Sequence, residues 1–276
     1  MKISVVTISF NQAEFLERTI QSVITQKGAD FEYIMVDPGS TDGSRELIER
    51  YRDSFAAVIL DRDKGPRDGL NKGFARATGD IFFYLNSDDT VEPGAFARAL
   101  EEFQRDPGLD MVCGHCWLVD RHDRRLRRAW SDPWQPASQA YATSIQIQPS
   151  TYFRAELFRR IGGFNEDHQF RLGWDGELFV DMCMAGAKVK IINAFMSNFR
   201  LHDEGLTGGG YNEQQYRTWH DLQFQKIMGR EKAPRDRYLW YWWFVRRQLR
   251  NPRAFLERVL YGPMYKRYKP PRKAEA

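Results

Sequence analysis

The sequence is poor in cysteine, with 3 thiols in 276 residues. That is too few for a disulfide framework, so Cys113, Cys116 and Cys183 read as free thiols of a reducing compartment. Cys113 and Cys116 flank His115 in a lone C-x-x-C. A zinc or redox site needs two further ligands at matching spacing or a thioredoxin-like setting, so the pair reads as thiols on a strand. Long hydrophobic runs are also missing. Nothing approaches the ~20 apolar residues that cross a bilayer, and the longest aromatic-apolar stretch, Tyr238 to Val245, is a fraction of that. No secretory leader is expected, because Ile3 to Ile8 is too short for an h-region and soon meets Asn11, Gln12 and Glu14. These absences predict a cytoplasmic protein, or one held at the cytoplasmic face of a membrane. Internal repeats and low-complexity segments are absent too.

What is present is a core-forming composition, 42% hydrophobic and 28% charged. It excludes disorder for most of the chain. The net charge of +4 is unevenly placed. Residues 230–276 hold 14 Lys/Arg and 4 Asp/Glu, a net +10, leaving −6 for residues 1–229. An acidic body with a basic tail is therefore expected, with the division near residue 230.

The first hundred residues alternate strand and helix. Ile3 to Ser9, Glu32 to Asp37, Ala56 to Leu60 and Asp80 to Leu85 read as short strands, several of them apolar enough to be buried on both faces. Between them, helices are predicted from Asn11 to about Gln26, with Asn11 and Glu14 as a capping box, and over Ser44 to Tyr51 and Leu70 to Ala77. The pattern implies an α/β fold with a parallel, doubly wound sheet. Further on, strands are expected at Asp110–Asp120, Arg124–Trp130, Gln148–Arg154 and Lys188–Ile192. Helices are expected at Ala155–Ile161 and Asp175–Met184, and a mobile loop at Gly208-Gly209-Gly210.

Ligands of such sheets bind beyond the carboxyl ends of the strands, and the polar clusters lie there. Asn86-Ser87-Asp88-Asp89 closes one apolar strand. Closely spaced carboxylates on a turn can hold a hard divalent cation and leave positions open for a diphosphate. A helix cap for the segment beginning near Pro93 is the alternative. Asp37, Asp61 and Asp63 end neighbouring strands, and like charges crowded on one rim are costly unless cations or donors compensate. Asp37 suits a uracil imide N–H, or a turn in which it bonds the backbone of Gly39 or Ser40.

Several ordered motifs resemble the family 2 glycosyltransferases, enzymes of the GT-A fold: a Rossmann-like, mainly parallel sheet flanked by helices. Ile3 to Gln12 is similar to their first strand and loop. Val36-Asp37-Pro38-Gly39-Ser40-Thr41-Asp42-Gly43 is similar to D-D-G-S-T-D-G, with proline in place of the second aspartate. Asp68-Gly69-Leu70-Asn71-Lys72-Gly73 resembles D-A-x-N-x-G, and Leu85 to Asp89 the D-x-D element, with Asn86 in place of its first acid. Gln148 to Phe153 and Gly162-Gly163-Phe164-Asn165-Glu166 resemble the acceptor-side half. The likeness spans roughly residues 1–205.

The resemblance implies inverting transfer from a nucleotide-diphosphate sugar, a UDP-sugar being favoured, to a glycan or lipid-linked acceptor of cell-envelope polysaccharide synthesis. It assigns the nucleotide to Thr7, Ser9, Asn11, Asp37, Asp63, Asn71, Asn86 and Ser87. Mn²⁺ or Mg²⁺ falls to Asp88, with Asp89 and His202 as further ligands, and the general base to Asp175, with Glu177 as the second choice. A base at a helix N-terminus is favoured in its ionised form, while Asp181, one turn on, is expected to face solvent or an ion pair. Asp203 to Gly210 would close over the donor. A sugar nucleotidyltransferase is the competing enzyme class, but Ser9-Phe10-Asn11-Gln12 lacks its Gly-rich basic phosphate loop. A non-catalytic nucleotide-sugar-binding scaffold is the other alternative, kept open by Asn86.

The tail mixes aromatic and basic residues, from Tyr238 to Val245 through Arg246, Arg247, Arg250, Arg253 and Arg258 to Tyr265, Lys266, Arg267 and Tyr268. Such a mixture predicts peripheral contact of 236–276 with an anionic membrane. A tail packed on the body and an oligomer interface are the alternatives, and no motif for nucleic acid accompanies the charge.

Overall fold

The computed structural model describes residues 1–167, 173–202 and 213–262. The expected closing loop at 203–210 and the end of the tail at 263–276 lie outside them.

The amino-terminal half follows the predicted alternation. Strand β1 (Ile3–Ile8) leads to α1 (Ala13–Ile24), β2 (Phe31–Val36), α2 (Ser44–Arg50), β3 (Ala57–Ile59), α3 (Pro66–Arg76), β4 (Ile81–Asn86), β5 (Thr90–Val91) and α4 (Ala95–Arg105). A second run continues with β6 (Met111–Val119), β7 (Arg125–Ala129), α5 (Pro136–Ala140), β8 (Thr151–Arg154), α6 (Ala155–Arg160), α7 (Trp174–Met184) and β9 (Val189–Arg200). Helices α8 (Glu213–Met228), α9 (Asp236–Arg250) and α10 (Pro252–Tyr261) end the described chain.

One nine-stranded sheet runs in the order β3-β2-β1-β4-β8-β6-β9-β5, with β7 paired to β6. Strands β1 to β4 are mutually parallel, β8 is antiparallel to both β4 and β6, and β9 is parallel to β6. Strands β1, β2, β3, β4, β6 and β9 therefore all point one way. The end of β9 is thereby delivered to the same edge as the end of β4, although β8 and β6 lie between them.

Alternate residues of the central strands enter opposite cores. Val5, Tyr33, Met35, Phe83 and Leu85 pack with Leu16, Ile20 and Val23 of α1 and Phe96 and Phe103 of α4. Val6, Ile34, Val36, Phe82 and Tyr84 face the other way, onto Leu70 and Phe74 of α3, Phe158 of α6 and Trp174 and Leu178 of α7. The result is three layers, with each full burial of a large apolar side chain contributing roughly 1.5–3 kcal/mol. Glycines permit the closest approaches: a Cβ on Gly73 would lie 2.4 Å from Val6, and one on Gly114 2.2 Å from Met196.

Three local expectations are corrected. The capping box at Asn11 and Glu14 does not form, because Asn11 sits in the left-handed region (φ 53°), outside the helix. The amides at the entry to α1 are instead satisfied from the β2–α2 loop and the start of α2, Ala13 N–H donating to Asp42 at 2.8 Å and Gln12 N–H to Ser44 at 3.2 Å. Helix α3 begins four residues early, at Pro66, whose fixed φ and missing N–H suit a first helical turn. The strand expected at Lys188–Ile192 continues to Arg200, its polar Ser197 and Asn198 carried by ladders on both sides. Cys113 and Cys116 lie on β6 as buried free thiols, Cys113 within 3.2 Å of Ser131 Oγ and 3.1 Å of Thr151 Oγ1.

Glu32 ties the start of β1 to the turn before β4, accepting from Lys2 Nζ (2.8 Å), Ser4 Oγ (2.5 Å) and the Thr78 amide (2.6 Å). Burial pushes this carboxyl up, but the Lys2, Ser4 and Thr78 donors outweigh it and hold the group at about 2. A depressed carboxylate contributes stability above its unfolded value, lost as pH falls toward the folded one. The melting-temperature gap between the wild type and Glu32→Gln should thus be widest near neutrality and close as pH falls from about 4.5 toward about 2. Thermal melts at stepped pH measure it, and a gap that widens on acidification would refute the assignment.

Candidate functional site

The carboxyl edge of the sheet gathers most of the residues singled out from the sequence. At the end of β2, Asp37 is fully buried. Its Oδ1 accepts from the amides of Gly39 (3.0 Å) and Ser40 (2.8 Å) and from Arg45 Nε (3.1 Å), while Ser40 Oγ donates to Oδ2 at 2.6 Å. The carboxylate thus shapes the Pro38–Ser40 turn. Asn11 fastens the neighbouring loop to it: its N–H donates to Ser40 Oγ (2.8 Å) and its Oδ1 accepts from Thr41 N–H (2.9 Å). Ser9 is buried beside them and its hydroxyl has no hydrogen-bond partner. Thr7 does not reach the rim. It faces the core under α1, and its Oγ1 accepts from Tyr33 Oη at 3.0 Å.

Beyond β3, Asp63 accepts from Gly65 N–H at 2.9 Å. Burial raises its carboxyl above the usual range, with the negative charges of Asp68 and Asp37 adding to the effect. Gly69 makes room for it, since a Cβ there would lie 2.7 Å from Asp63 Oδ2. Asn71 spends its amide on the Gly162–Glu166 loop. Phe164 N–H donates to its Oδ1 (3.0 Å), and its Nδ2 donates to Phe164 O (2.9 Å) and Glu166 (3.2 Å).

The turn after β4 meets the end of β9. His202 Nε2 lies 3.0 Å from Asp88 Oδ2, and the ring of His202 packs on Phe15 with centroids 4.5 Å apart. His202 is buried and its Nδ1 has no partner, whereas the Asp88 side chain is 21% exposed. Asp89 does not join them. It turns inward, fully buried, where Oδ1 accepts from Arg200 N–H at 2.9 Å and Oδ2 has no hydrogen bond. Burial, helped by the Asp88 charge, raises its carboxyl well above the usual range. Among the described residues no cluster of three or more His, Cys, Asp or Glu side chains is preformed for a metal. Asn86 Nδ2 donates to Gln148 Oε1 (3.3 Å), and the Ser87 carbonyl lies 2.8 Å from Thr19 Oγ1.

Asp175 and Glu177 open α7 and diverge. Asp175 is half-buried, with Gly176 N–H donating to its Oδ1 at 2.9 Å. Its charge is felt by Tyr84, whose phenol burial, foremost, and Asp175 both push upward. Glu177 is buried, accepts from Asn165 Nδ2 (3.1 Å) and lies 3.6 Å from Lys226 Nζ. Asp181 pairs with the same lysine. Trp219 of α8 covers the start of α7, where a Cβ on Gly173 would approach it to 2.6 Å.

Sequence reasoning missed Arg200. Its side chain is wholly buried and donates to Asp88 O (2.7 Å), Asp120 O (3.0 Å) and Asp123 Oδ1 (2.6 Å) over the face of Phe15. The signal was the arginine two residues before His202, at the end of a strand. Thr19 and Lys226 were missed as well, and nothing in their local sequence marks them.

Comparison with known proteins bears on the same residues. The family model described as glycosyl transferase family 2 matches residues 4–173. An uncharacterized glycosyltransferase of Nostoc sp. is 35% identical over 213 residues, which are 73% of this chain and 65% of that protein, so the match spans about two thirds of the relative's length. The chondroitin synthase of Escherichia coli is 26% identical over 74% of this chain and 30% of its own. Among solved structures, Staphylococcus aureus TarS 1–349 in complex with UDP-GlcNAc superposes with a TM-score of 0.64 at 16% identity, covering 95% of this chain and 73% of that one. A mannosyltransferase from Pyrobaculum calidifontis in complex with GDP-Man and Mn²⁺ gives 0.62 at 18%, covering 94% and 73%. Both likenesses show the fold.

Proposed function

The chain belongs to the family 2 glycosyltransferases, and we propose that it moves a sugar, with inversion, from a nucleotide-diphosphate donor to a glycan or lipid-linked acceptor. One observation carries the reading: the parallel run of β1, β2, β3, β4 and β9 brings Asp37, Asp63 and the Asp88–His202 pair to a single edge of the sheet. The β1–α1 and β2–α2 loops, joined through Asn11 and Ser40, would hold the nucleoside. A UDP-sugar is favoured because the TarS structure holds UDP-GlcNAc.

The donor set at Asp88 and His202 fits Mn²⁺ or Mg²⁺. A partly exposed carboxylate stands beside an imidazole whose second nitrogen is buried without a partner, and oxygen with imidazole nitrogen suits Mn²⁺ well. When bound, such an ion supplies positive charge against the departing diphosphate. Asp175 would take the acceptor hydroxyl's proton from the opposite side as the anomeric bond breaks. Glu177, committed to Asn165 and Lys226, would support the start of α7. A lipid-linked acceptor of envelope polysaccharide synthesis would set this work at the cytoplasmic face of a membrane.

A thermal-shift panel of nucleotides with Mn²⁺ or Mg²⁺ tests the reading. At 100 times its dissociation constant a ligand stabilises by about 2.7 kcal/mol, a shift of several degrees. Uridine diphosphate with metal should give it, and Asp88→Ala should lose the metal-dependent part. No shift with any nucleotide, or the same shift in Asp88→Ala, would overturn the assignment.

A further inference from the structure

Helices α9 and α10 are amphipathic the wrong way round. The side chains they turn toward the body are largely polar and charged. Buried Asp236 accepts from Arg230 (2.7 Å) and Tyr141 Oη (2.7 Å), Arg247 pairs with buried Asp132 (2.6 Å), and buried Glu257 accepts from Arg128 (2.8 Å). Asn251, between the helices, donates to Ser131 O and to Asp132. The side chains they turn outward are apolar, among them Tyr241, Trp242, Leu249, Leu256, Val259 and Leu260, each 52–77% exposed. A patch of this extent on one face marks an interaction site.

The charge of that face selects its occupant. Asp236 and Glu257 are the only acids between residues 236 and 262, and both are buried in ion pairs. The outward surface is therefore apolar and cationic, with no exposed carboxylate. Arg237 and Arg250 are exposed, and Arg246 stacks over Trp242 and Trp243 at 4.9 and 5.0 Å. A cleft of about 630 Å³ at the start of α9 adds Arg235 beside Tyr238 and Trp240, and Lys232, which pairs with the exposed Asp221 of α8 at 2.5 Å. Two copies placed face to face would set arginine against arginine. An anionic bilayer supplies the missing negative charge, an apolar interior for Leu249, Leu256, Val259 and Leu260, and a headgroup zone that tryptophan and tyrosine prefer. No helix among the described residues is long and apolar enough to cross a membrane, so the contact would lie in the interface plane.

We propose that the outward face of α9 and α10 is a monolayer-inserting surface for anionic phospholipid, held to the body by ion pairs. It deepens the membrane setting of the proposed function but does not need the transfer chemistry, and it is read without any sugar donor. The full chain is mixed with vesicles of phosphatidylcholine, with and without phosphatidylglycerol. Cosedimentation and tryptophan emission are followed, with sedimentation velocity for self-association.

Binding is expected only with phosphatidylglycerol, weakening with salt, and with a blue-shifted emission. Arg250→Gln should weaken partition about fivefold, as expected for one basic residue near the surface. The double variant Trp242→Glu, Leu256→Glu should lose at least about tenfold. Both sites are exposed, so an unchanged melting temperature shows that the fold is kept. The proposal is overturned if vesicles with and without phosphatidylglycerol bind alike, if neither binds, or if the double variant binds as the wild type does. It is equally overturned if the wild type self-associates through this face and the double variant does not.

Discussion

Asp175→Asn should lower the turnover of sugar transfer by roughly a thousandfold, within the 10²–10⁴ range of a positioned general base, while nucleotide affinity stays within about twofold. The substitution is nearly isosteric, and the Asn carbonyl oxygen can still accept from Gly176 N–H, which now donates at 2.9 Å. The first turn of α7 is therefore kept while the proton acceptor is lost. Glu177→Gln is the matched control on the same helix. Its buried carboxylate already serves Asn165 and Lys226, so the expected cost is a lower melting temperature with most of the turnover kept. Steady-state kinetics with a saturating nucleotide sugar, beside calorimetric binding of the nucleoside diphosphate, separates the roles. If Asp175→Asn keeps more than about a tenth of the activity, or if Glu177→Gln falls as far, Asp175 is not the base.

How much of this was readable depended on whether the cause was local. The runs Ile3 to Ile8 and Ile81 to Leu85 are apolar on both faces because helices cover both sides of the sheet, and that property is visible without a partner. Aspartates at strand ends were visible for the same reason: a parallel sheet sends its carboxyl ends to one edge. The capping of α1 was not, because Asp42 reaches Ala13 from a different loop, 29 residues away. Nor was the length of β9, whose polar residues are tolerated because β6 on one side and β5 on the other take up its backbone groups. The inward turn of Asp89 belongs to the same class, since only the arrival of Arg200 N–H from β9 gives that carboxylate a reason to leave the rim. In the tail the mixture of aromatic and basic residues was plain in the sequence. Which of them face the body was settled by Asp132, Arg128 and Tyr141, all far away in the chain.

Arg200 is where the remote contacts meet, and its replacement should be the most destabilising single change at this edge. The guanidinium, wholly buried, serves the carbonyls of Asp88 and Asp120 and the carboxylate of Asp123, and lies 5.2 Å from the centre of the Phe15 ring. It joins the turns after β4 and β6 to the end of β9. Arg200→Met would keep much of the apolar volume yet leave two buried carbonyls without their donor, at a cost of roughly 3 kcal/mol or more. For a chain of this size that corresponds to a fall in melting temperature on the order of 5–10 °C. Arg200→Lys should recover little of it, because one ammonium on a flexible stem cannot reach three acceptors arranged around a planar fork. The same changes should weaken metal-dependent nucleotide binding, since the turn carrying Asp88 and the strand carrying His202 lose their common anchor. Thermal melts with and without nucleotide and Mn²⁺ read both effects. A lysine variant that melts like the wild type would show that Arg200 is a packing residue, and that the alignment of Asp88 with His202 is maintained by the sheet alone.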